Sequence, residues 1–412
     1  MSERLKICHL SKYYPPDFGG IESHVRTLAL GQLKSGLIVK VLCINSFPKH
    51  KKFTPSSKTI HEVDDGIHVV RLRKILTFAR FDLCPSLVKH LYYLAQEEYD
   101  IIHLHTPNPT MLIAWLIFDV MSKILRFKKP KLVVTHHSDV VKQKVLKQVL
   151  RPFEYLVYRD ANCILLTSPN YFDGSKFLKL FKSKICILPL GIDLSPYLNP
   201  SGLAIAFARD LEHKFAQPRW LCVSRFVYYK AIHIAIEALQ YTPGVLMIVG
   251  VGPLDSELKA YAEAIGVNKR IEWMGRLEMD ELVGAYHAAT AFWFPSNVRS
   301  EAFGLVQVEA MASQCPVINT EIAGSGVPWV SRNEREGFTV PINDAKAFSD
   351  AANRVLRDEA FRKRLSIAAQ SRAKAEFSDQ TMVSRCSTFY YKVLNLREPE
   401  KKLVGLTTHQ NL

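Results

Sequence analysis

Short apolar runs bounded by turn residues alternate along the chain with stretches whose apolar positions recur every three or four residues. The first pattern predicts buried strands and the second amphipathic helices. Strands are expected at Leu5–Leu10, Val39–Ile44, Ile67–Arg71, Ile101–Leu104, Leu132–Val134, Cys163–Leu166 and Ile185–Leu188. From Ser195 to Gln217 the pattern weakens, punctuated by Pro196, Pro200, Gly202 and Pro218. It resumes with Trp220–Val223, Val245–Val249, Ile271–Trp273, Ala291–Phe294 and Val317–Asn319, then turns helical from Ala345 to Val393.

Strands alternating with helices in two series predict an α/β protein of two doubly wound, Rossmann-like domains facing one another across a cleft. A length of 412 residues allows two cores. The expected division is residues 1–195, residues 196–397 with the terminal helices, and a loose polar tail at 398–412. Ligands of such sheets bind at the carboxyl ends of the strands, so chemistry is to be sought in the residues that follow each strand.

Several strand ends carry such residues. After the first strand, Gly19 and Gly20 precede a helical pattern, a setting suited to close approach by a diphosphate and equally to a plain turn. His103 and His105 end one strand and His136 and His137 the next; four histidines raise the question of a metal, but the only carboxylates nearby are Asp100 and Asp139 and no DxD occurs. Zinc is therefore a minor reading, and no metal is expected. ILPLGID brings Gly191 and Asp193 to the domain joint, where the Asp can serve as a simple helix cap.

In the second series Arg225 leaves a strand end and Lys230 stands at a helix entrance, two cations able to stabilise a departing diphosphate without a metal, or merely to face solvent. Gly250 and Gly252 end the next strand in IVGVGP, MGR at Met274–Arg276 ends the one after, and Gly324 and Gly326 lie in a later loop. SEAFGLVQVEAMASQCP sets Glu301 before a predicted helix and Glu309 inside it, about two helical turns on. The amides of Phe303, Gly304 and Leu305 would then be free to meet an anion. Taken alone, the same stretch reads as an amphipathic helix with exposed glutamates.

These motifs together resemble the retaining GT-B glycosyltransferases of family 4 over nearly the whole chain. In that family the Thr-x-His, Pro-x-Gly-Ile-Asp, Arg-x₄-Lys and Glu-x₇-Glu segments occur in this order at corresponding strand ends. The resemblance implies a nucleotide-diphosphate sugar bound chiefly in the second domain and an acceptor in the first. It assigns the diphosphate to Arg225 and Lys230, the sugar hydroxyls to Glu301, the ribose to Glu309, the phosphates also to the Gly19–Gly20 loop and the amides at Phe303–Leu305, a nucleotide-facing donor loop to Gly250 and Gly252, and the donor sugar to His137. Ala231 departs from the pattern, since a glycine usually follows the lysine, and this puts the local turn in question. The loop GSGVPWV resembles a bacterial polysaccharide-assembly subset, which favours a GDP-mannose-type donor with UDP-sugars next; the family resemblance, with the basic helix described below, implies a glycan or lipid-linked acceptor, and no cofactor is expected. A GT-B sugar-nucleotide epimerase and a noncatalytic sugar-nucleotide-binding protein remain open at this stage.

A net charge of +15 fits an anionic partner. Lys123, Arg126, Lys128, Lys129 and Lys131 cluster before a strand; Lys144, Lys147 and Arg151 share one side of the next helical pattern, opposite Val141, Val145 and Val149. Such a helix either lies on an anionic membrane or shows an ordinary solvated face. No zinc-finger spacing or RNA-binding aromatic signature is present, so nucleic acid is not expected. The charged N-terminus MSERLKICHL argues against a signal peptide, and the apolar run Met111–Phe118 falls short of the ~20 residues that cross a bilayer. The eight cysteines are scattered without CxxC pairs and read as small buried hydrophobes in a reducing compartment. A cytoplasmic protein, peripheral on the inner face of the membrane if bound at all, is the expectation.

Overall fold

The computed structural model describes residues 4–17, 19–46, 58–78, 81–138 and 144–398. Val141 and the tail after Glu398 lie outside them, as do the side chains of Lys144, Val145 and Lys147. The first sheet contains β1 (Lys6–Leu10), β2 (Ile38–Ile44), β3 (Ile60–Asp64) and β4 (Ile67–Leu72). A separate hairpin of β5 (Leu76–Phe78) and β6 (Phe81–Leu83) follows, then β7 (Ile101–Thr106), β8 (Lys131–His136), β9 (Cys163–Leu166) and β10 (Ile185–Ile187) rejoin the sheet. Its order is β10-β9-β8-β7-β1-β2-β4-β3, parallel except where β3 pairs antiparallel with β4.

The second sheet comprises β11 (Arg219–Val223), β12 (Val245–Val249), β13 (Ile271–Gly275), β14 (Ala291–Trp293), β15 (Val317–Thr320) and β16 (Gly337–Val340). All its pairings are parallel, in the order β13-β12-β11-β14-β15-β16. Every strand expected from the sequence is present. Those that escaped the pattern are β3, whose residues are half-buried or exposed, the three-residue strands of the hairpin, and β16, which opens on Gly337.

Each sheet is covered on both faces, which is why its strands read as nearly continuous apolar runs. Cores including Trp115 and Tyr158 on one face and Val25 and Val41 on the other enclose the first sheet. Cores including Tyr286 and Phe303, and Trp220 and Trp293, enclose the second. In both sheets chain order reverses once near the middle, between β1 and β7 and between β11 and β14. At such a reversal the flanking connections leave to opposite faces and a crevice opens beyond the carboxyl ends of the strands.

The weak segment at the domain joint is helical. Ser201 caps helix Gly202–Lys214 through the Ala204 amide (3.1 Å), and Ala204, Ala208 and Leu211 bury one face against the second domain. The last helix, Asp379–Leu394, goes elsewhere than the division at 196–397 implies. Its buried face, Met382, Val383, Cys386 and Tyr390, completes the first domain's core beside Val25, Leu28 and Ala29 on helix Gly20–Lys34. Residue spacing shows that such a face exists; only the fold shows which sheet it covers.

To return, the chain runs back beside its own outgoing segment: the Ile192 amide donates to Phe377 O (3.0 Å) and the Asp379 amide to Ile192 O (2.9 Å). Asp193 has the plain role, accepting from the Ser195 amide (2.9 Å). A second tie joins the domains at Arg299, whose guanidinium donates to Tyr171 O (2.9 Å) and Gly174 O (2.6 Å) of the first domain and Gly324 O (2.9 Å) of the second.

Candidate functional site

The reversal in the second sheet gathers most of the residues singled out from sequence. Arg225 and Lys230 follow β11, and Glu301 follows β14, the strand that pairs beside it. The Lys230 ammonium and the Glu301 carboxylate form an ion pair with both side chains largely buried (14% and 11% exposed). Ser296 Oγ donates to the same carboxylate oxygen (3.3 Å), Ser325 Oγ donates to the Glu301 carbonyl, and the Lys230 ammonium lies 5.2 Å from the centre of the Phe294 ring. Arg225 is exposed, and its guanidinium has no hydrogen-bond or ion-pair partner among the described residues. Of the two cations, Lys230 is the one set in place, with Arg225 free to swing toward an anion.

The turn after Lys230 resolves the missing glycine. Ala231 takes the left-handed conformation (φ 46°, ψ 39°) that glycine adopts without strain, and its methyl is buried among Ile232, Ile234 and their neighbours. The backbone geometry survives at a cost of about 1–2 kcal/mol, which burial of that methyl partly offsets.

Around this pair the backbone offers donors. Helix Leu305–Ala312 starts after Gly304, which has φ 76°; a Cβ there would stand 2.7 Å from the Phe294 ring, so a side chain is excluded by conformation and by space together. The amides of Phe303 and Gly304 donate to no acceptor among the described residues, and Leu305 supplies the first amide of the helix. The Phe303 side chain itself is core, edge-on to Phe377 (5.6 Å). Gln307 fixes the turn, donating to Phe303 O (2.9 Å) while accepting from Asn319 (2.8 Å). Across the sheet, Gly250 has φ 134° and would place a Cβ 1.9 Å from Ser224 O, so the β12 loop lies directly on the Arg225 strand end.

Glu309 is inside the helix as expected, yet it is not an exposed glutamate. Its carboxylate accepts from Tyr286 Oη (2.8 Å), and burial raises its pKa while the tyrosine bond works in the opposite direction.

The reversal in the first sheet holds the remaining candidates. Gly19 caps helix Gly20–Lys34 in extended backbone (φ 177°), and a Cβ would meet nothing at Gly20 and only the carboxylate end of Glu22 at Gly19. The fold does not itself demand either glycine. His137 follows β8, buried, its amide bonded to Thr106 O (3.0 Å). Its Nε2 lies 3.0 Å from His105 Nδ1, and His105 Nε2 lies 3.1 Å from His9 Nδ1. His24 stands edge-on to both His105 and His137. Burial, the largest cause in each case, lowers the pKa of His9 to about 4 and of His24 to about 3, and holds those of His103, His105 and His137 well below the usual histidine value. All five rings are neutral at pH 7.

Two triads, His9–His103–His105 and His24–His105–His137, have ring nitrogens within 4.8 Å of one another, close enough to hold a metal ion. Both nitrogens of His9 and of His105 are already engaged in hydrogen bonds, so a metal would have to break bonds the protein makes for itself. His103 is likewise tied to Tyr390 and Thr135, and His136 to Tyr158 (2.7 Å).

Sequence reasoning missed Tyr286, Phe294, Ser296 and Gln307. Tyr286 acts on Glu309 from the preceding helix and Phe294 lies beside Lys230 across the crevice, while Ser296 and Gln307 act on Glu301 and Phe303 close by in the chain without carrying a charge or a glycine signal of their own.

Residues 18–196 match the family described as "Glycosyltransferase Family 4", and residues 207–372 match "Glycosyl transferases group 1". The chain is 32% identical to D-rhamnosyltransferase WbpZ of Pseudomonas aeruginosa over 349 residues, covering 84% of this chain and 85% of that one. It is 27% identical to O-antigen chain mannosyltransferase C of Escherichia coli, covering 95% of this chain and 99% of that one. Among solved structures, sucrose-phosphate synthase from Thermosynechococcus elongatus superposes with a TM-score of 0.74 at 22% identity, covering 95% of this chain and 100% of that one. Anabaena Alr3699/HepE in complex with UDP-glucose does so with a TM-score of 0.72 at 18% identity, covering 94% and 100%.

Proposed function

The chain belongs to the family 4 glycosyltransferases of GT-B fold and is a hexosyltransferase; from that premise we propose that it transfers a mannose-type hexose from a GDP-sugar to a glycan or lipid-linked acceptor of a cell-surface polysaccharide. Transfer proceeds with retention and without a metal, and UDP-sugars are the next choice of donor. The observation that carries this reading is the Lys230–Glu301 ion pair beside the open amides at Phe303–Leu305. An ammonium and free N–H groups at one strand-order reversal suit the diphosphate of a donor, and the carboxylate between them suits its sugar hydroxyls. The likeness to a mannosyltransferase and a D-rhamnosyltransferase supports the sugar class.

In this scheme the diphosphate takes Lys230 as its counter-ion, joined by Arg225 and the amides, which frees Glu301 to accept from sugar hydroxyls. Glu309, braced by Tyr286, accepts from the ribose. The acceptor oxygen attacks the anomeric carbon on the face the diphosphate leaves, the carbon–oxygen bond to phosphate breaks, and the acceptor proton passes to the departing phosphate. His137 meets the sugar from the first domain. A thermal-shift screen across GDP- and UDP-sugars is expected to show selective stabilisation by one donor, since the shift grows with affinity. Turnover with that donor should persist in excess EDTA. Activity lost to the chelator and restored by a divalent cation would refute the metal-free scheme and direct attention to the histidine triads.

For the acceptor side, an anionic membrane is the proposed surface. No helix among the described residues is long and apolar enough to cross a bilayer. Helix Pro109–Leu125 nevertheless exposes Ile117, Val120, Ile124 (72% exposed) and Leu125, and helix Lys144–Asp160 exposes Val149, Phe153 and Leu156. Exposed Lys123, Arg126 and Lys128 adjoin the first of these groups, a combination suited to lipid with acidic headgroups. The basic face expected at Lys144, Lys147 and Arg151 changes accordingly. Arg151 stacks on Phe177 (3.6 Å) and pairs with Glu154 (2.8 Å), while Val149 faces out. Sedimentation with vesicles rich in phosphatidylglycerol should carry the protein down and leave Ile124→Glu in solution; equal binding by both proteins would remove the physical basis for this surface.

A further inference from the structure

The buried histidines of the first domain form an ordered chain rather than a mere cluster. At one end Tyr390, on the last helix, lies 3.1 Å from Gln32 Nε2 and 2.6 Å from His103 Nδ1. Gln32 on helix Gly20–Lys34 turns its amide nitrogen to the tyrosine and its carbonyl oxygen to His9 Nε2 (2.8 Å). His9 Nδ1 meets His105 Nε2 (3.1 Å), and His105 Nδ1 meets His137 Nε2 (3.0 Å). Tyr390, Gln32, His9, His103 and His105 are all fully or almost fully buried, so water does not compete for these bonds.

Each link dictates the next. A carbonyl oxygen only accepts, so His9 must carry its proton on Nε2. A neutral imidazole has a single N–H, which leaves His9 Nδ1 as an acceptor. The donor facing it must be His105 Nε2–H, so His105 Nδ1 is bare. By the same step His137 Nε2 donates, and His137 Nδ1 is left with its lone pair free. The tyrosine end agrees: Tyr390 accepts from Gln32 and gives its own proton to His103 Nδ1, whose Nε2–H then donates to Thr135 Oγ1 (2.6 Å).

We propose that Gln32, some distance down the relay from the cleft, sets the tautomer of His137 through His9 and His105, presenting His137 Nδ1 to the donor sugar as an obligate hydrogen-bond acceptor. Gln32 is thus a positioning residue: it touches no substrate, yet it decides which hydroxyl orientation the site takes, an O–H pointing at the ring rather than an oxygen accepting from it. The same chain explains why helix Asp379–Leu394 returns to the first domain, since Tyr390 anchors the relay. The proposal rests on the reading that His137 meets the sugar.

The test uses the full chain with its histidine rings labelled with ¹⁵N, and two-bond ¹H–¹⁵N spectra that separate Nδ1–H from Nε2–H rings, His137 being assigned by the signals lost in His137→Ala. In the unaltered protein His9, His105 and His137 should all be protonated at Nε2. Gln32→Leu should give mixed tautomers at all three and lower kcat about tenfold, the worth of one hydrogen bond to the reacting sugar, with donor KM little changed. Gln32→Glu, whose carboxylate also only accepts, should restore both the spectrum and kcat. A His137 ring protonated at Nδ1 in the unaltered protein overturns the proposal whether or not any variant folds. So does a Gln32→Leu spectrum identical to the original. Should the spectra behave as expected while His137→Ala turns over normally, the relay stands and the contact between His137 and sugar is what fails.

Discussion

Replacing Lys230 with alanine is expected to cut kcat/KM by about 10²–10³ or more, the range for removing one preorganised partner of developing negative charge, and Glu301→Ala to be at least as severe. The two side chains are each other's counter-ion before donor arrives. Removing either leaves the other largely buried and unpaired, a loss of about 3–5 kcal/mol when a pair is fully buried and less here because both retain some contact with water. That penalty should appear as a lower Tm without loss of the fold, since the pair lies beyond the strand ends and outside the apolar clusters. The informative measurement is therefore turnover of variants shown by circular dichroism to be folded. The two substitutions should also differ in kind. Without Lys230, affinity for the free nucleoside diphosphate falls; without Glu301, it is retained and the sugar-bearing donor loses its advantage over the diphosphate. Near-normal turnover by both folded variants would defeat the assignment of the site.

The second large effect is acid lability of the first domain. His9, His24, His103, His105 and His137 have folded pKa values depressed by burial, to about 4 for His9 and about 3 for His24. The unfolded chain takes up protons on these rings near pH 6.5 and the folded one does not, so stability is complete above pH 6.5 and falls as pH drops toward the folded values. Each ring contributes a slope of about 1.4 kcal/mol per pH unit. Several acting together would exhaust a typical domain stability of about 5–15 kcal/mol within one to three units. A circular dichroism titration should thus show cooperative unfolding between about pH 6 and 4, in the window those shifts define. His24, 3% exposed and with neither ring nitrogen hydrogen-bonded among the described residues, contributes to the slope and gains nothing from its polarity. His24→Leu should move the midpoint to lower pH. A signal unchanged from pH 7 to 4 would show that the rings are solvated or already charged.

What the sequence disclosed, and what it withheld, follows from the range of each interaction. Apolar runs such as Cys163–Leu166 and Val245–Val249 announce strands because burial on both faces leaves no polar alternation. β3 alternates between half-buried and exposed residues at a sheet edge and carries no comparable signal. Lys230 and Glu301 were legible as separate motifs, each at the end of its own strand, but their pairing depends on β14 lying next to β11 although two strands intervene in the chain. Gln32 was invisible for the same reason. It occupies a helical position whose meaning comes from Tyr390, 358 residues away. Arg151 shows the opposite failure, where helical spacing placed it on a basic face and the aromatic ring of Phe177 claimed it.

The parallel pairing of the outgoing and returning segments at the domain joint has a mechanical consequence. Among the described residues the first core is left after Leu188 and rejoined at Met382, and the two passing segments are stitched together at Ile192. Two bonded segments resist independent twisting, so the angle between the two sheets depends on how closely these segments pack. Gly191 lies at this crossing, where a Cβ would come within 2.4 Å of Ser378 O. A side chain at this position would leave either half able to fold and bind its own ligand, yet tilt one against the other. The enzyme would then hold donor and acceptor together without ever bringing the acceptor oxygen into line with the anomeric carbon.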